Sequence, residues 1–225
     1  MKQFASIIKD LPEVVPFVGP ETQERKNQIK FKARLGANES VFGPSPEVIA
    51  AIKKSSESIW MYGDPENYEL KSAICAHHNV KMENIVVGEG IDSLLGNLVR
   101  LFVDRYTNVV TSKGAYPTFN YHVNGFGGIL NFVPYRNDFE DIDALLEVAK
   151  KTKAKVIYLA NPDNPMGTCN SASKIEALVE SLPCNSILCL DEAYSDFIAS
   201  GNLPVIAPDN PNVIRFRTFS KAYGL

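Results

Sequence analysis

Residues 186–194 read Ser186-Ile187-Leu188-Cys189-Leu190-Asp191-Glu192-Ala193-Tyr194, a small and apolar run that ends abruptly in two acids. So short an apolar run is the pattern of a buried strand, and its polar end marks where the chain leaves the sheet. A carboxylate buried there is costly unless a cation or hydrogen-bond donors meet it, so Asp191 is expected to have a partner. A protonated ring nitrogen would serve, because a nearby carboxylate holds such a nitrogen in its charged form. The ordinary alternative is a helix N-cap at a strand-to-helix turn.

Two more strand ends carry polar groups of the same kind. Lys155–Ala160 runs into Asn161-Pro162-Asp163-Asn164-Pro165-Met166-Gly167, where two prolines fix a turn and Asn164 offers an amide to an acceptor such as a phenolate oxygen. Asn-Pro and Met-Gly are also common turn material. The run Asn212–Arg217 leads into Thr218-Phe219-Ser220-Lys221. Two hydroxyls beside one lysine suit a phosphate ligand and an imine-forming amine, although a single lysine is more often a solvated surface residue.

Short apolar runs alternate with helical patterns along most of the chain. Ser45-Pro46-Glu47 is a helix start, followed by Val48, Ile49, Ile52 and Ile59 at helical spacing. Ile85–Val87 reads as a strand, and Ile91, Leu94, Leu95, Leu98, Val99 and Phe102 form the buried stripe of the helix after it. Then follow a strand at 108–111, a helix at 117–125, a strand at 129–133, and a helix carrying Ile142, Leu145, Leu146 and Ala149. The strand at 155–160, a helix at 173–182 and the strands at 187–191 and 212–217 complete the series. This alternation predicts an α/β fold, a mostly parallel sheet with helices on both faces, whose ligands bind beyond the carboxyl ends of the strands. Ahead of it, Pro12, Pro16 and Pro20 suit an extended arm better than a helix, and the polar stretch 21–32 reads as linker-like.

The composition removes several classes of function. With 225 residues, 45% of them hydrophobic, the chain can bury a sizeable core. A net charge of −3 leaves no basic surplus for nucleic acid. No apolar run approaches the roughly 18 to 20 residues that cross a bilayer. Lys9, Asp10 and Glu13 fall where a signal peptide needs its apolar region, so the expected location is the cytoplasm. Cys75, Cys169, Cys184 and Cys189 lack both C-x-x-C spacing and scaffold density, and read as reduced, mostly core residues. His77 and His78 are adjacent and His122 stands alone, so no metal site is expected.

Asn164, Asp191 and Lys221 are spaced by 27 and 30 residues, and each follows an apolar strand. That order and spacing resemble the fold-type I, pyridoxal 5′-phosphate (PLP) dependent class I/II aminotransferases. Leu35-Gly36-Ala37-Asn38-Glu39-Ser40-Val41-Phe42-Gly43-Pro44-Ser45-Pro46 and Tyr62-Gly63-Asp64-Pro65 resemble the histidinol-phosphate aminotransferase subgroup. The resemblance implies PLP as cofactor, with Lys221 as its imine lysine, Asp191 at the ring nitrogen, and Asn164 and Tyr194 at the ring oxygen. It implies Gly90, Ile91, Asp92, Thr218 and Ser220 around the phosphate, at a helix N-terminus that favours anions. Phe119 would stack on the ring, its alternative being a core aromatic. Asn38 would meet substrate, and Tyr62 would reach the phosphate of a neighbouring subunit's cofactor, which implies a homodimer.

The resemblance also implies a domain division, residues 1–40 as an arm and part of a small domain and 41–225 as a large PLP-binding domain. Met166 stands where threonine is usual, and Glu89 and Ile91 replace smaller or more polar residues. The family carries an arginine about eight residues beyond the lysine, a C-terminal domain, and an antiparallel strand within the sheet. None of these lies within 1–225, so the chain is expected to be an incomplete, inactive part of its parent. The implied reaction is transamination between an amino donor and a 2-oxo acid such as 2-oxoglutarate. A PLP-dependent decarboxylase of the same fold and a non-catalytic remnant are the rivals, since fold does not determine substrate.

Overall fold

The computed structural model describes residues 5–9, 11, 17–199 and 201–225. Pro12 and Pro16 of the expected arm, and Asp10 and Glu13 of the segment that argues against a signal peptide, lie outside the described residues. Five strands, β1 (Asn108–Ser112), β2 (Ile129–Val133), β3 (Val156–Ala160), β4 (Ile187–Asp191) and β5 (Val213–Phe216), form one sheet in the order β2-β1-β3-β4-β5. Every pairing is parallel; Ala160 lies opposite Asp191, and Asp191 opposite Phe216. The register therefore brings three strand ends to one edge of the sheet.

Side-chain alternation builds two cores. Val156, Tyr158 and Ala160 of β3 and Cys189 of β4 pack with Leu95, Leu98, Val99, Phe119 and Val123. These belong to α4 (Gly90–Phe102) and α5 (Pro117–Gly125). Ile157, Leu159, Leu188 and Leu190 face the opposite way, onto Ile142, Leu145, Ala149, Ile175 and Leu178 of α6 (Ile142–Thr152) and α7 (Ala172–Glu180). Helices thus cover both faces, and a period of two in the strands decides which residue meets which layer. The central strands β3 and β4 are buried along their whole length, which is why they lack polar alternation.

Local starts agree with their chemistry. Ser45, Asp141 and Ser171 cap α2 (Pro46–Ser55), α6 and α7 by accepting from the backbone N–H groups of Val48, Ala144 and Lys174. Several expectations are corrected. The polar stretch after Pro20 is a helix, α1 (Pro20–Asn27), with Pro20 at its first position, Glu21 in the first turn and Arg25 and Lys26 in the last. A further helix, α3 (Tyr68–His78), was not anticipated, because its apolar residues form no clear stripe. The α2 helix stops at Ser55, so Ile59 lies beyond it and is exposed, as are Ile49 and Ile52.

Ile85–Val87 is not a laddered strand. Ile85 is extended, but the segment pairs with no described strand, and Val86 is exposed. Apolar β-branched residues favour the extended backbone; a strand also needs a neighbour for its hydrogen bonds. Of the four cysteines, all free, only Cys189 is buried, while Cys169 and Cys184 are exposed. Among the described residues no helix is long and apolar enough to cross a membrane.

Candidate active site

A cavity of about 490 Å³ opens at the carboxyl ends of β3, β4 and β5. Asn164, Asp191 and Lys221 all line it, with Asn38, Gly90, Ile91, Asp92, Tyr194, Thr218 and Ser220. Residues scattered over most of the chain meet there because parallel strands deliver their ends to the same edge.

Asp191 is the buried floor. Its Oδ2 accepts from the Tyr158 hydroxyl at 2.7 Å and its Oδ1 from the Ala193 N–H at 3.0 Å. Among the described residues it forms no ion pair; the neighbouring acid, Glu192, takes the cations, Arg215 at 2.7 Å and Arg217 at 3.1 Å. Burial pushes the Asp191 carboxyl above its ordinary range. Two donors steady the acid without supplying a positive charge, and a cationic nitrogen in the cavity would reverse that shift.

In the same cavity, Lys221 Nζ donates to the Ala37 carbonyl at 3.3 Å and lies 5.9 Å from the centre of the Tyr194 ring. Asn38 Nδ2 donates to the Tyr194 hydroxyl at 2.9 Å, which partly offsets the upward push of burial on that phenol. Segment 36–38 is steadied by Arg34, which bridges Glu21 of α1 and Glu39. Thr218 and Ser220 hydroxyls lie 2.9 Å apart, and the Ser220 N–H donates to Thr218 Oγ1.

Gly90 begins α4 at φ +76, with open space where a Cβ would be. That left-handed backbone suits glycine, and it leaves the first N–H groups of α4, at Ile91 and Asp92, at a helix end that attracts anions. The Asp92 carboxylate accepts from the Tyr116 hydroxyl at 2.8 Å. Burial first, then Asp92, push the Tyr116 phenol up to about 12.

Phe119 belongs to the core. It has no exposed surface, stacks on Tyr158 with ring centres 4.5 Å apart, and does not line the cavity. Tyr116, three residues earlier and just before Pro117, is the aromatic that does. One turn of α5 separates the two, so the helix start faces the cavity while the next turn enters the core. Tyr62 is fully exposed and also lies off this cavity.

Sequence reading missed Tyr158 and Tyr116. Their signals were a phenol within an aliphatic strand and an aromatic immediately before the N1 proline of α5. A second cavity, about 790 Å³, adjoins the first and shares Asn38, Pro162, Asn164 and Tyr194 with it.

A model of the family "aminotransferase class I and II" matches residues 31–225. The histidinol-phosphate aminotransferase of Moorella thermoacetica is 31% identical over 222 residues, 97% of this chain and 57% of the relative. That of Leuconostoc mesenteroides is 33% identical over 210 residues, 91% of this chain and 58% of the relative. A crystal structure of histidinol-phosphate aminotransferase from Sinorhizobium meliloti, in complex with pyridoxal 5′-phosphate, superposes with a TM-score of 0.94 at 50% identity, covering 100% of this chain and 60% of that one. Aspartate aminotransferase from Rhizobium meliloti, at 20% identity and a TM-score of 0.78, shares the fold. The chain therefore spans about three-fifths of the length of these relatives. With its three strand-end motifs around one cavity and the family pattern running from residue 31 to residue 225, this chain belongs to the class I and II aminotransferases.

Proposed function

We propose that this chain forms the cofactor-binding part of a PLP-dependent aminotransferase. Its reaction moves an amino group between an amino acid or amino-alcohol phosphate of the histidinol-phosphate type and a 2-oxo acid such as 2-oxoglutarate. The observation that carries the reading is the convergence of Asn164, Asp191 and Lys221 on one cavity. The residues present fit the cofactor: a buried acid with no cation among the described residues, an amine lining the same cavity, and an open helix N-terminus beside two hydroxyls.

Bound there, PLP supplies an aldehyde that condenses with amines and a protonated pyridine that acts as an electron sink. Asp191 keeps the ring nitrogen protonated. Asn164 and Tyr194 donate to the ring oxygen, and Tyr116, rather than Phe119, covers a ring face. The N–H groups of Ile91 and Asp92, with the Thr218 and Ser220 hydroxyls, hold the phosphate. Lys221 Nζ is the amine that would hold the cofactor's aldehyde, and the same group would carry the proton taken from the substrate Cα. Asn38, bonded to Tyr194, positions that phenol beside the substrate.

On this reading residues 1–40 are an arm and 41–225 the cofactor domain, in a cytoplasmic homodimer. Support for a partner surface comes from Phe42, Trp60 and Tyr62, all strongly exposed. Tyr62 would then serve the partner's cavity. The test uses the full-length protein with PLP: borohydride reduction should fix the cofactor on Lys221, and histidinol phosphate with 2-oxoglutarate should yield glutamate. With a carboxylated amino acid as donor, release of its carboxyl as carbon dioxide without glutamate would establish the decarboxylase instead, and absence of cofactor attachment at Lys221 would overturn the reading.

A further inference from the structure

Behind the wall that presents Asn164 lies a pair of acids for which the proposed chemistry has no use. Glu140 is 1% exposed. Its Oε1 accepts from the Ala160 N–H at 2.8 Å, while its buried Oε2 has no hydrogen-bond partner among the described residues. Asp163, 4% exposed, adjoins it. Asp163 Oδ1 accepts from the Tyr135 hydroxyl at 2.9 Å and Oδ2 from the Met166 N–H at 3.0 Å.

These groups fasten the turn 161–170 to the segment 135–140. The Thr168 hydroxyl donates to the Asp138 carbonyl at 2.8 Å, and Asn170 Nδ2 to the Glu140 carbonyl at 3.4 Å. Asn161 and Asn170 close the turn on each other through two hydrogen bonds. Asn164 sits at the tip of this turn, and its fixed points, Ala160, Asp163, Met166, Thr168 and Asn170, lie on either side of it.

Two adjacent buried carboxyls cannot both ionise without strong repulsion. The titratable groups facing Glu140 are the Asp163 carboxyl from the turn and the phenols of Tyr135, from its own segment, and Tyr158, from β3, none of them cationic. No ion pair among the described residues includes Glu140. Asp163 keeps donors that favour its charge, so Glu140 is the member that holds the proton. Burial first, with the Asp163 charge adding to it, pushes the Glu140 carboxyl up to about 8.

We infer that the Glu140 and Asp163 pair is a positioning device for Asn164, which the proton retained on Glu140 keeps seated against the end of β3. Loss of that proton drives the two carboxyls apart and loosens the turn. The inference rests on the proposed function only for what Asn164 then does, which is to donate to the cofactor ring.

The test is amide hydrogen exchange in the full-length protein without cofactor, corrected for the intrinsic pH dependence of exchange. Exchange in 161–170 should accelerate several-fold as pH rises through about 8. In Glu140→Gln, which matches the neutral acid in shape, that step should vanish. Asp163→Asn, which removes the like charge, should move the step to lower pH, and it serves alone if Glu140→Gln does not fold. A wild-type profile without the step, or the same step in Glu140→Gln, would overturn the inference. With PLP added, the pH at which the cofactor's visible absorbance changes should differ between wild type and Glu140→Gln. An exchange step in a protein that binds no PLP would sink the cofactor reading and leave the pair standing. PLP binding without the step would sink the pair alone.

Discussion

Asp191 illustrates how much a single side chain is asked to do here. Its two donors are a phenol and a backbone N–H, so the charge it offers the cavity is unmatched within the described chain. Replacing it with asparagine keeps the shape and removes the charge. A charge-assisted hydrogen bond contributes about 1.5 to 3 kcal/mol, so Asp191→Asn should weaken PLP binding by about 10- to 100-fold, read by fluorescence titration. Tyr116 and Phe119 separate just as cleanly. Phe119→Ala should cost about 3 to 5 kcal/mol in urea unfolding, because it empties a core position stacked on Tyr158. Tyr116→Ala should instead lower PLP affinity, by up to about tenfold, the scale of one aromatic contact. Equal effects of the two substitutions on stability would show that the assignment of the aromatics is wrong. Gly90→Ala places a Cβ in open space at φ +76, so its cost is backbone strain of about 1 to 2 kcal/mol rather than a clash.

At the scale of elements, the ends of β4 and β5 are held by more than their ladder. Glu192, with 1% of its side chain exposed, receives Arg215 through two bonds and Arg217 through a third. Removing the acid leaves two guanidinium groups that are less than a third exposed and have lost their partner. Glu192→Gln should therefore destabilise the protein by about 3 kcal/mol, measured as a shift in the urea midpoint. Because β5 leads directly into Thr218, Ser220 and Lys221, the same substitution should also loosen the cavity wall. The helices show the opposite economy. The α1 helix buries no residue and stands on Pro20 at its first position and on its terminal charges, whereas α4 and α6 keep a buried stripe against the sheet. Their difference follows from what each has to pack against.

For the molecule as a whole, pH dependence combines two sets of acids. Glu140, pushed up to about 8, contributes stability that is fully present below its unfolded value of 4.5 and is lost as pH rises through the folded value. Asp163 and Asp191, also raised by burial, act in the same direction. Surface acids act oppositely: Glu24 and Asp64, held below their ordinary values by hydrogen bonds, lose their contribution as pH falls. The cofactor-free protein should thus lose stability between about pH 5 and about pH 8, and Glu140→Gln should flatten much of that slope in a series of thermal unfolding curves. A slope unchanged in the variant would show that Glu140 is ionised in the folded state.

Periodicity and punctuation alone determined a great deal about this protein. The strands at 129–133 and 187–191 and the helix at 117–125 coincide with the expected bounds, because apolar runs between turn residues have few other ways to bury themselves. The spacing of Asn164, Asp191 and Lys221 was legible for the same reason, each residue closing such a run. Only the tertiary structure decided which way side chains face and which segments find neighbours. Tyr116 and Phe119 are both aromatic and three residues apart, and it is the placement of α5 over the sheet that sends one to the cavity and the other to the core. Ile85–Val87 has the composition of a strand, yet strand formation is a pairwise event and no described neighbour completes it. Glu140 and Asp163 are 23 residues apart and meet only because β3 carries the chain back beside its own approach. Local sequence sets what a residue prefers, and proximity, which long-range packing alone creates, sets what it does.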